Sequence, residues 1–436
     1  MFTKLSLITE IAKRDRRCKL NNLIHILDDE NLKECFKMLK KNKASGIDGV
    51  SIEEYNKNLN ENVKDLVKRM KQLSFRPNPV RRVNIPKANG KQRALGIPTV
   101  EDKLVQMGIS KILEAIYEVD FEDFSYGFRP GKSCHSALDK LNKVIMTKPI
   151  NHIIDADIKG FFDNIDHKWM VKFLEHRISD KMLIRYIGRF LKSGIMEDGK
   201  LIMSEKGTPQ GGIISPILAN VYLHYVLDIW ISRIIKKKCR GVVEIVRYAD
   251  DFVICVQYKD EAEIILKALK ERFKKFGLEL SEDKTKIIEF GRYAKENVKR
   301  KNRRPDIFNF LGFTHFIDKT RKGKFKLGRK TDSRRFKIKV KEMNIWLKSI
   351  RNQVKAKEWW KVLQAKLRGH FQYYGVSGNY RSIKSFYYIT IRLVHKWINR
   401  RSQKKTYNWK RFLEYLERYG VPQPKIHHNF YTAYSY

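Results

Sequence analysis

Two apolar runs separated by adjacent aspartates, in residues 244–256, restrict the fold more than any other segment of the chain. The runs 245–246 and 252–256 are rich in residues with β propensity, and residues 248–251 between them suit a tight turn. The segment therefore predicts a β-hairpin with Asp250 and Asp251 at its tip. Adjacent carboxylates are costly to keep charged unless a cation lies beside them, and their oxygens suit Mg²⁺. An ordinary solvated turn remains the alternative from this segment alone.

The charge of the chain predicts a polyanionic partner. Its 436 residues contain 91 Lys and Arg against 48 Asp and Glu, a formal net charge of +43. Because 42% of the residues are hydrophobic, we expect a folded protein whose basic surface binds nucleic acid. The sequence shows no apolar run near 18 residues and no signal peptide, so we expect no membrane partner and a cytoplasmic location. The five cysteines lack C-x-x-C spacing, which argues against a zinc site or a disulfide framework.

A second acidic strand is predicted over residues 152–158. Asp155 and Asp157 are two residues apart and therefore share one face of that strand. Asp163 and Asp166 follow at the start of a helix, where acids can cap the helix. A hairpin tip beside the end of a second strand can supply the carboxylates for two-metal phosphoryl transfer, in nucleases as well as in polymerases. The pattern does not choose between Asp155 and Asp157.

A basic hairpin and a glycine-rich loop are further candidates for phosphate binding. Residues 80–98 predict two strands joined at Asn89-Gly90, with cations on or beside the turn. This hairpin is either a flap that grips phosphates or an exposed hairpin with solvated charges. Residues 207–216 form a glycine-rich loop that opens a helix over 217–235, which is a weak phosphate signal by itself.

The C-terminal third predicts a basic helical bundle. Ten of the twenty residues in 321–340 are Lys or Arg. Beyond them, apolar residues recur at steps of three and four in three successive stretches, as in three helices that pack on one another. Aromatic and basic residues together suit the RNA backbone and unpaired bases.

Eight motifs in this order resemble the group II intron-encoded reverse transcriptase/maturase family, over about residues 40–430. They are Asn42–Val50, Ile85–Lys87 with Leu95–Pro98, Ser125–Pro130, Asp157–Asp163, Gly207–Gly212, Arg247–Asp251, Phe310–Phe313 and Arg368–Tyr374. The resemblance implies an α+β right-hand polymerase with fingers, palm and an α-helical thumb. The implied domains are 1–150 for an N-terminal extension and fingers, 151–320 for a palm with inserted helices at about 170–205, and 325–402 for the thumb or maturase domain. We expect 403–436 to be a short C-terminal segment without an endonuclease domain.

The resemblance also selects site residues, with Asp157 preferred to Asp155. It implies two Mg²⁺ ions held by Asp157, Asp250, Asp251 and the backbone carbonyl of Ile158. Because adjacent hairpin residues cannot point the same way, the share of Asp251 in metal binding stays open. The implied dNTP-binding residues are Lys87, Arg93, Phe162, Gln210 and Lys284, with Phe162 excluding the ribose 2′-hydroxyl. The implied primer and template contacts are Phe310, Leu311, Gly312, Phe313 and Arg129.

The implied function is RNA-directed DNA polymerisation together with maturase activity. The implied partners are intron RNA, an RNA template, a DNA or RNA primer, and dNTPs. Two alternatives belong to other classes. One is an RNA-binding splicing cofactor that does not polymerise, and the other is a related reverse transcriptase recruited to phage defence or CRISPR adaptation.

Overall fold

The chain is a mixed α+β protein that divides into two units. The computed structural model describes residues 2–431 apart from 41–42, 87–91, 198, 204, 209–210, 295–304, 355 and 402–406. The first unit comprises Met1–Ala137 and Ile154–Ile287, and the second comprises Leu138–Ile153 and Ile288–Tyr436. Within the described ranges, no helix is long and apolar enough to cross a lipid bilayer.

Helices account for most of the regular structure. They are α1 (Phe2–Arg14), α2 (Asp29–Met38), α3 (Ile52–Lys57), α4 (Leu59–Lys71), α5 (Val100–Tyr117), α6 (Cys134–Thr147), α7 (His167–Glu175), α8 (Lys181–Leu191), α9 (Ser215–Leu223), α10 (Lys259–Lys275), α11 (Ser333–Ile350), α12 (Ala356–Tyr374), α13 (Tyr380–Asn399) and α14 (Trp409–Tyr419). Two π-helical turns, His224–Asp228 and Ile231–Ile235, continue α9 toward the next strand.

The strands form three sheets. They are β1 (Val80–Pro86), β2 (Gln92–Ile97), β3 (His152–Asp157), β4 (Ile195–Glu197), β5 (Lys200–Ile202), β6 (Val243–Tyr248), β7 (Asp251–Val256), β8 (Lys286–Glu289), β9 (Phe308–Phe310), β10 (Phe313–Lys319) and β11 (Phe325–Thr331). The sheet orders are β2-β1-β4-β5, β6-β7-β3-β8 and β11-β10-β9.

The predicted aspartate hairpin is confirmed as β6 and β7. These strands pair antiparallel with Tyr248 opposite Asp251, so the loop between them contains only two residues. Residues 252–256 are all buried, because this central strand is covered on both faces. The neighbouring strand in the sheet is β3, which carries the second pair of predicted acids.

Two helices begin at residues whose side chains cap them, as predicted for Asp166. Thr99 caps α5 by accepting a hydrogen bond from the backbone nitrogen of Asp102, and Asp166 caps α7 in the same way. The helix α10 ends at Lys275, and Gly277 follows shortly after it with a φ of 72°, a conformation that favours glycine after a helix. Twelve of the residues of α5 are buried, so this helix runs through the core of the first unit.

The predicted basic hairpin is confirmed as the antiparallel pair β1 and β2. Its predicted turn at Asn89-Gly90 lies outside the described residues. The sequence did not predict β4, which pairs parallel to β1 through Val80 and Ile195. Three-residue strands such as β4 and β5 carry too few side chains to show an alternating pattern.

The second unit contains the three predicted C-terminal helices, α11, α12 and α13, together with the β9–β11 sheet. Apolar residues of α12 and α13 are buried at helical spacing, and in α11 Met343 and Leu347 are buried, as expected for helices that pack on one another. The helix α14 was not predicted, although its buried residues Phe412 and Leu416 are four positions apart. That spacing was a usable helical signal.

Candidate active site

The tip of the aspartate hairpin has an unusual backbone conformation. Ala249, the first loop residue, has a φ of 57°, and Asp250 is the second. A positive φ at the first loop position matches the right-handed twist of the paired strands. For a residue with a Cβ, this conformation costs roughly 1–2 kcal/mol, so surrounding contacts must hold it.

A fully buried arginine, Arg247, supplies those contacts. Its Nε donates to Oδ1 of Asp228 at 2.7 Å, and its Nη2 donates to the other oxygen of the same carboxylate. Its Nη1 donates to the Ala249 carbonyl at 2.9 Å and to Oδ1 of Asn220 at 3.1 Å. Asn220 lies on α9 and Asp228 ends the first π-helical turn. The guanidinium therefore ties the hairpin tip to the adjacent helix.

The loop 125–130 lies against the same tip. Backbone hydrogen bonds join it to Arg247. A Cβ added at Gly127 would lie 2.2 Å from the backbone nitrogen of Ala249, so a side chain there would collide with the hairpin. The Gly127 carbonyl accepts a hydrogen bond from Nδ2 of Asn220 at 2.7 Å. The loop and the hairpin therefore fix each other's backbone.

Arg129 belongs to this loop and points into the protein. Its guanidinium donates to the Glu118 carboxylate at 2.8 Å and to the carbonyls of Glu122 and Ser125, each at 2.7 Å. It also lies over the ring of Phe121. Only 7% of the residue is exposed, so these contacts support a role in bracing the loop.

Asp157 is the last residue of β3 and its carboxylate is partly exposed. Lys284 Nζ donates to its Oδ2 at 2.7 Å, so a cation already contacts this carboxylate. The backbone carbonyl of Asp157 accepts from the Ser281 nitrogen at 2.8 Å. The next residue, Ile158, forms an isolated antiparallel bridge with Leu280. These contacts fix the end of the strand, while the carboxylate stays accessible.

Asp155 differs in environment from Asp157, although both belong to β3. Burial raises the pKa of Asp155 to about 6, and the neighbouring Lys286 opposes this rise. The negative charge of Asp157 raises the pKa of Asp155 further. Burial therefore disfavours the charged form of Asp155, which makes it a poorer cation ligand than the more exposed carboxylate of Asp157.

The glycine-rich loop is anchored on the segment that carries Phe162. The Thr208 nitrogen donates to the Phe162 carbonyl at 2.8 Å, and the Gly207 nitrogen donates to the Ile165 carbonyl at 2.7 Å. His167 Nε2 lies 2.6 Å from the Gly207 carbonyl oxygen. A Cβ at Gly207 would lie 2.9 Å from the Phe162 carbonyl oxygen, so only glycine permits this approach. The start of the loop and the Phe162 turn are thereby held together.

Several predicted dNTP-binding groups lie outside the described structure. Lys87 and Gln210 fall in undescribed segments, and only the backbone of Arg93 is described, in β2. Phe162 is half-buried in the first unit, with its ring 5.4 Å from that of Phe161.

The segment Phe310–Phe313 is a tight turn between β9 and β10 in the second unit. Leu311 and Gly312 have φ values of 48° and 83°. Tyr373 Oη donates to the Leu311 carbonyl at 3.0 Å, and the Asp332 nitrogen donates to the Gly312 carbonyl at 3.0 Å. The turn is therefore held from α12 and from the start of α11.

The first unit thus brings together part of the predicted site. Asp157 ends β3, Asp251 begins β7, and these strands are neighbours in one sheet. Among the described residues, no three side chains of Asp, Glu, His or Cys form a ready metal-binding group. No sequence pattern assigned a role to Arg247, Asp228 or Asn220. A charged residue within the apolar run of β6 was the signal that could have drawn attention to Arg247.

Comparison with known proteins identifies the class. Residues 85–315 match the family model described as reverse transcriptase (RNA-dependent DNA polymerase). The group II intron-encoded protein LtrA of Lactococcus lactis subsp. cremoris is 30% identical, over 81% of this chain and 70% of the relative. Protein YkfC of Escherichia coli (strain K12) is 30% identical, over 63% of this chain and 81% of the relative. A 91 kDa protein in the cob intron of Schizosaccharomyces pombe is 41% identical over 42% of this chain and 21% of its own length.

These matches define an RNA-directed DNA polymerase, whose family generally uses divalent metal ions and nucleic-acid partners. Within that class, the chain belongs to the group II intron reverse transcriptase/maturase family.

Proposed function

We propose that this chain extends a DNA or RNA primer along an RNA template with dNTPs, using Asp157, Asp250 and Asp251. The reaction joins the primer 3′-hydroxyl oxygen to the α-phosphorus of the dNTP and releases pyrophosphate. The observation that carries the proposal is the adjacency of β3 and β7 in one sheet, with an acid at the end of one strand and acids at the start of the other.

The donor set fits two Mg²⁺ ions. Carboxylate and carbonyl oxygens are the ligands this ion prefers, and the Ile158 carbonyl would add to the three carboxylates. The contact of Lys284 Nζ with Asp157 at 2.7 Å supports a position suited to positive charge. When bound, the ions would neutralise charge that develops on the attacking and leaving oxygens. Because Asp250 lies in the loop and Asp251 begins the strand, Asp250 is the stronger candidate of the two.

Lys284 would donate to the leaving pyrophosphate. Its ammonium is largely exposed and is paired with a carboxylate that the proposal assigns to metal binding. Once that carboxylate has another cation, the ammonium is free to turn toward a phosphate. A cation there would stabilise charge that spreads over the leaving group.

The remaining dNTP contacts follow the family resemblance. Lys87 and Arg93 on the β1–β2 hairpin would bind the triphosphate, and Gln210 would line the nucleotide site. Phe162 would lie under the sugar and exclude a ribose 2′-hydroxyl by its bulk. Its support is the hydrogen bond from Thr208 to the Phe162 carbonyl, which fixes the backbone that carries this ring.

The proposed architecture is the right hand, with an N-terminal extension and fingers over 1–150, a palm over 151–320 and a thumb or maturase domain over 325–402. The turn Phe310–Phe313 would support the primer end. The thumb would bind intron RNA and assist its splicing, which makes the protein a maturase as well. Its support is the basic segment 321–340 and the aromatic helices α11–α13.

Primer extension tests the catalytic assignment. On an RNA template with Mg²⁺ and dNTPs, Asp157→Asn and Asp250→Asn should each reduce kcat by about a hundredfold or more, because each removes an anionic oxygen that holds charge in the transition state. The matched control is Asp155→Asn, an equal change two residues away on the same strand, which should keep near wild-type activity. Extension by Asp250→Asn at the wild-type rate would refute the site. A wild type that binds RNA but extends no primer would favour the splicing cofactor.

A further inference from the structure

A cavity of about 490 Å³ lies within the second unit and is lined by α11, α12 and one residue of α13. Its floor is buried and consists of Met343, His370, Tyr374 and Phe386. The volume falls in the range of about 300–1,000 Å³ that is usual for small-molecule sites. The catalytic proposal does not use this cavity.

An interior glycine keeps one wall of the cavity open. Gly369 lies well inside α12, where glycine lowers helix stability relative to alanine. A Cβ added there would meet no neighbouring atom within 4 Å, so the protein itself does not require glycine at this position. A ligand that approaches the helix backbone closely would require it.

His370 adds a ring nitrogen to a floor that otherwise consists of Met343 and two aromatic side chains. Its ring stacks on Phe386 with centroids 3.7 Å apart and interplanar angle 14°. Within the described part of the chain, its buried Nε2 has no hydrogen-bond partner. Burial, aided by the charge of Lys339, lowers the pKa of His370 to about 3, so the ring is neutral near pH 7. A neutral imidazole can exchange a hydrogen bond with a ligand edge without adding charge.

The rim of the cavity is positively charged. Arg335, Lys339 and Lys366 are exposed there, and among the described lining residues they face one carboxylate, that of Glu342. Lys339 Nζ pairs with Glu342 Oε2 at 2.8 Å, which leaves the other two cations as the main anion contacts. Arginine and lysine over an aromatic floor match a ligand with a phosphate at one end and a flat ring at the other.

The cavity wall also supports the turn between β9 and β10. Tyr373 both lines the cavity and donates to the Leu311 carbonyl at 3.0 Å. The guanidinium of Arg335 lies 3.2 Å from the Cβ position of Gly312. A ligand bound in the cavity would therefore touch the same side chains that shape this turn.

We propose that this cavity binds one unpaired nucleotide of an RNA chain, with the base over the aromatic floor and the phosphate on Arg335 and Lys366. The proposal rests on the proposed function only in that RNA is the partner. An acidic peptide could use the rim, but it would not use a flat aromatic floor with a neutral ring nitrogen.

The test measures binding of the full chain to a 12-nucleotide single-stranded RNA that carries one 2-aminopurine, placed at each position of the strand in turn. The salt is about 0.3 M KCl, which suppresses non-specific binding. Gly369→Ala adds one methyl group to the cavity. The wild type should quench 2-aminopurine at one position of the strand. We expect Gly369→Ala to lose this quenching and to bind the RNA about fivefold or more weakly. Its melting temperature should rise or stay unchanged, because alanine favours the helix.

The matched control is Gly188→Ala in α8, another helix-interior glycine whose added Cβ would meet no atom within 4 Å. It should keep wild-type RNA affinity. Lys366→Gln should weaken binding and Lys366→Arg should retain it. Wild-type affinity and quenching in Gly369→Ala would overturn the proposal. Equal loss for a blunt RNA duplex, or equal competition by poly-glutamate, would overturn the choice of an unpaired nucleotide. Asp157→Asn, which should abolish primer extension, should keep wild-type RNA affinity and 2-aminopurine quenching, and this separates the cavity from the catalytic site.

Discussion

The residues at the tip of the β6–β7 hairpin must meet two conflicting requirements. The aspartates must stay accessible to react, while the backbone that presents them must stay in a strained conformation. Arg247 resolves this conflict because its three hydrogen-bonding nitrogens are all directed to protein acceptors beneath the tip. Asp228 neutralises its charge inside the core, so the pair costs less to bury than either group alone.

Arg247→Lys tests this positioning role. Lysine keeps the charge but cannot reach a carboxylate, an amide and a carbonyl together, so the hairpin tip should shift. We expect kcat for primer extension to fall about tenfold to a hundredfold with little change in the KM for dNTP. We also expect a decrease of about 1–3 kcal/mol in the free energy of unfolding, measured by urea denaturation.

The matched control for this change is Arg240→Lys. Arg240 pairs with Asp260 at 2.8 Å at the surface, so its replacement should cost less than about 1 kcal/mol and leave kcat unchanged. If Arg247→Lys loses stability but keeps the wild-type kcat, Arg247 supports the fold alone.

At the scale of elements, the sequence predicted those whose pattern is local. The β6–β7 hairpin, the β1–β2 hairpin and the helices α11–α13 each have enough periodic apolar residues to be recognised along the chain. The short strands β4 and β5 form only because distant residues pair with them, as Val80 does with Ile195. Such pairings depend on tertiary contacts that no local pattern contains.

The candidate site also has a part that local sequence predicts and a part that it does not. Asp250 and Asp251 are predicted because they are adjacent in the sequence and flanked by apolar runs. The third acid on β3 is not predicted in this way, because β3 becomes a neighbour of β7 only in the folded sheet. Asp155 and Asp157 present the same pattern, and they differ in burial and pairing, which arise from β8 and from Lys284. Asp228, which binds Arg247, lies in a π-helical turn. The apolar pattern of residues 217–235 predicts a helix but does not reveal that turn.

The first turn of α5 should make stability depend on pH. Asp102 accepts from Thr99 Oγ1 at 2.7 Å and from the Asn78 nitrogen at 3.2 Å, yet burial raises its pKa to about 7. The folded state therefore binds a proton that the unfolded state releases near its ordinary pKa of 3.8. The contribution of Asp102 to the free energy of unfolding is therefore fully present below about pH 4 and is lost as the pH rises to about 7.

Asp102→Asn, which mimics the protonated form, should remove this dependence. Between pH 5 and 8, the wild type should lose free energy of unfolding relative to the variant, on the order of a few kcal/mol. Urea denaturation of both proteins across this range measures the difference, so that other titrating groups cancel. Parallel curves for the two proteins would contradict the raised pKa.

At the scale of the whole molecule, the formal charge of +43 exceeds what folding alone would favour, because like charges repel in the compact state. Binding a polyanion relieves that repulsion and releases counterions from the phosphates. The segment 321–340 concentrates this charge on β11 and the start of α11 in the second unit. RNA affinity should therefore depend strongly on salt.

For single-stranded RNA, the slope of log affinity against log salt concentration should be about −4 or steeper, which corresponds to about six neutralised phosphates. Replacing the exposed cations Arg321, Lys322 and Lys324 together by glutamine should make the slope shallower by about 0.7 for each phosphate that is no longer neutralised. The matched variant exchanges arginine and lysine at the same three positions, keeps the charge and should keep the slope. Fluorescence anisotropy from about 0.1 to 0.5 M KCl gives both values. A slope near zero would mean that the basic surface does not bind the RNA backbone, because counterions are released only when cations of the protein neutralise phosphates.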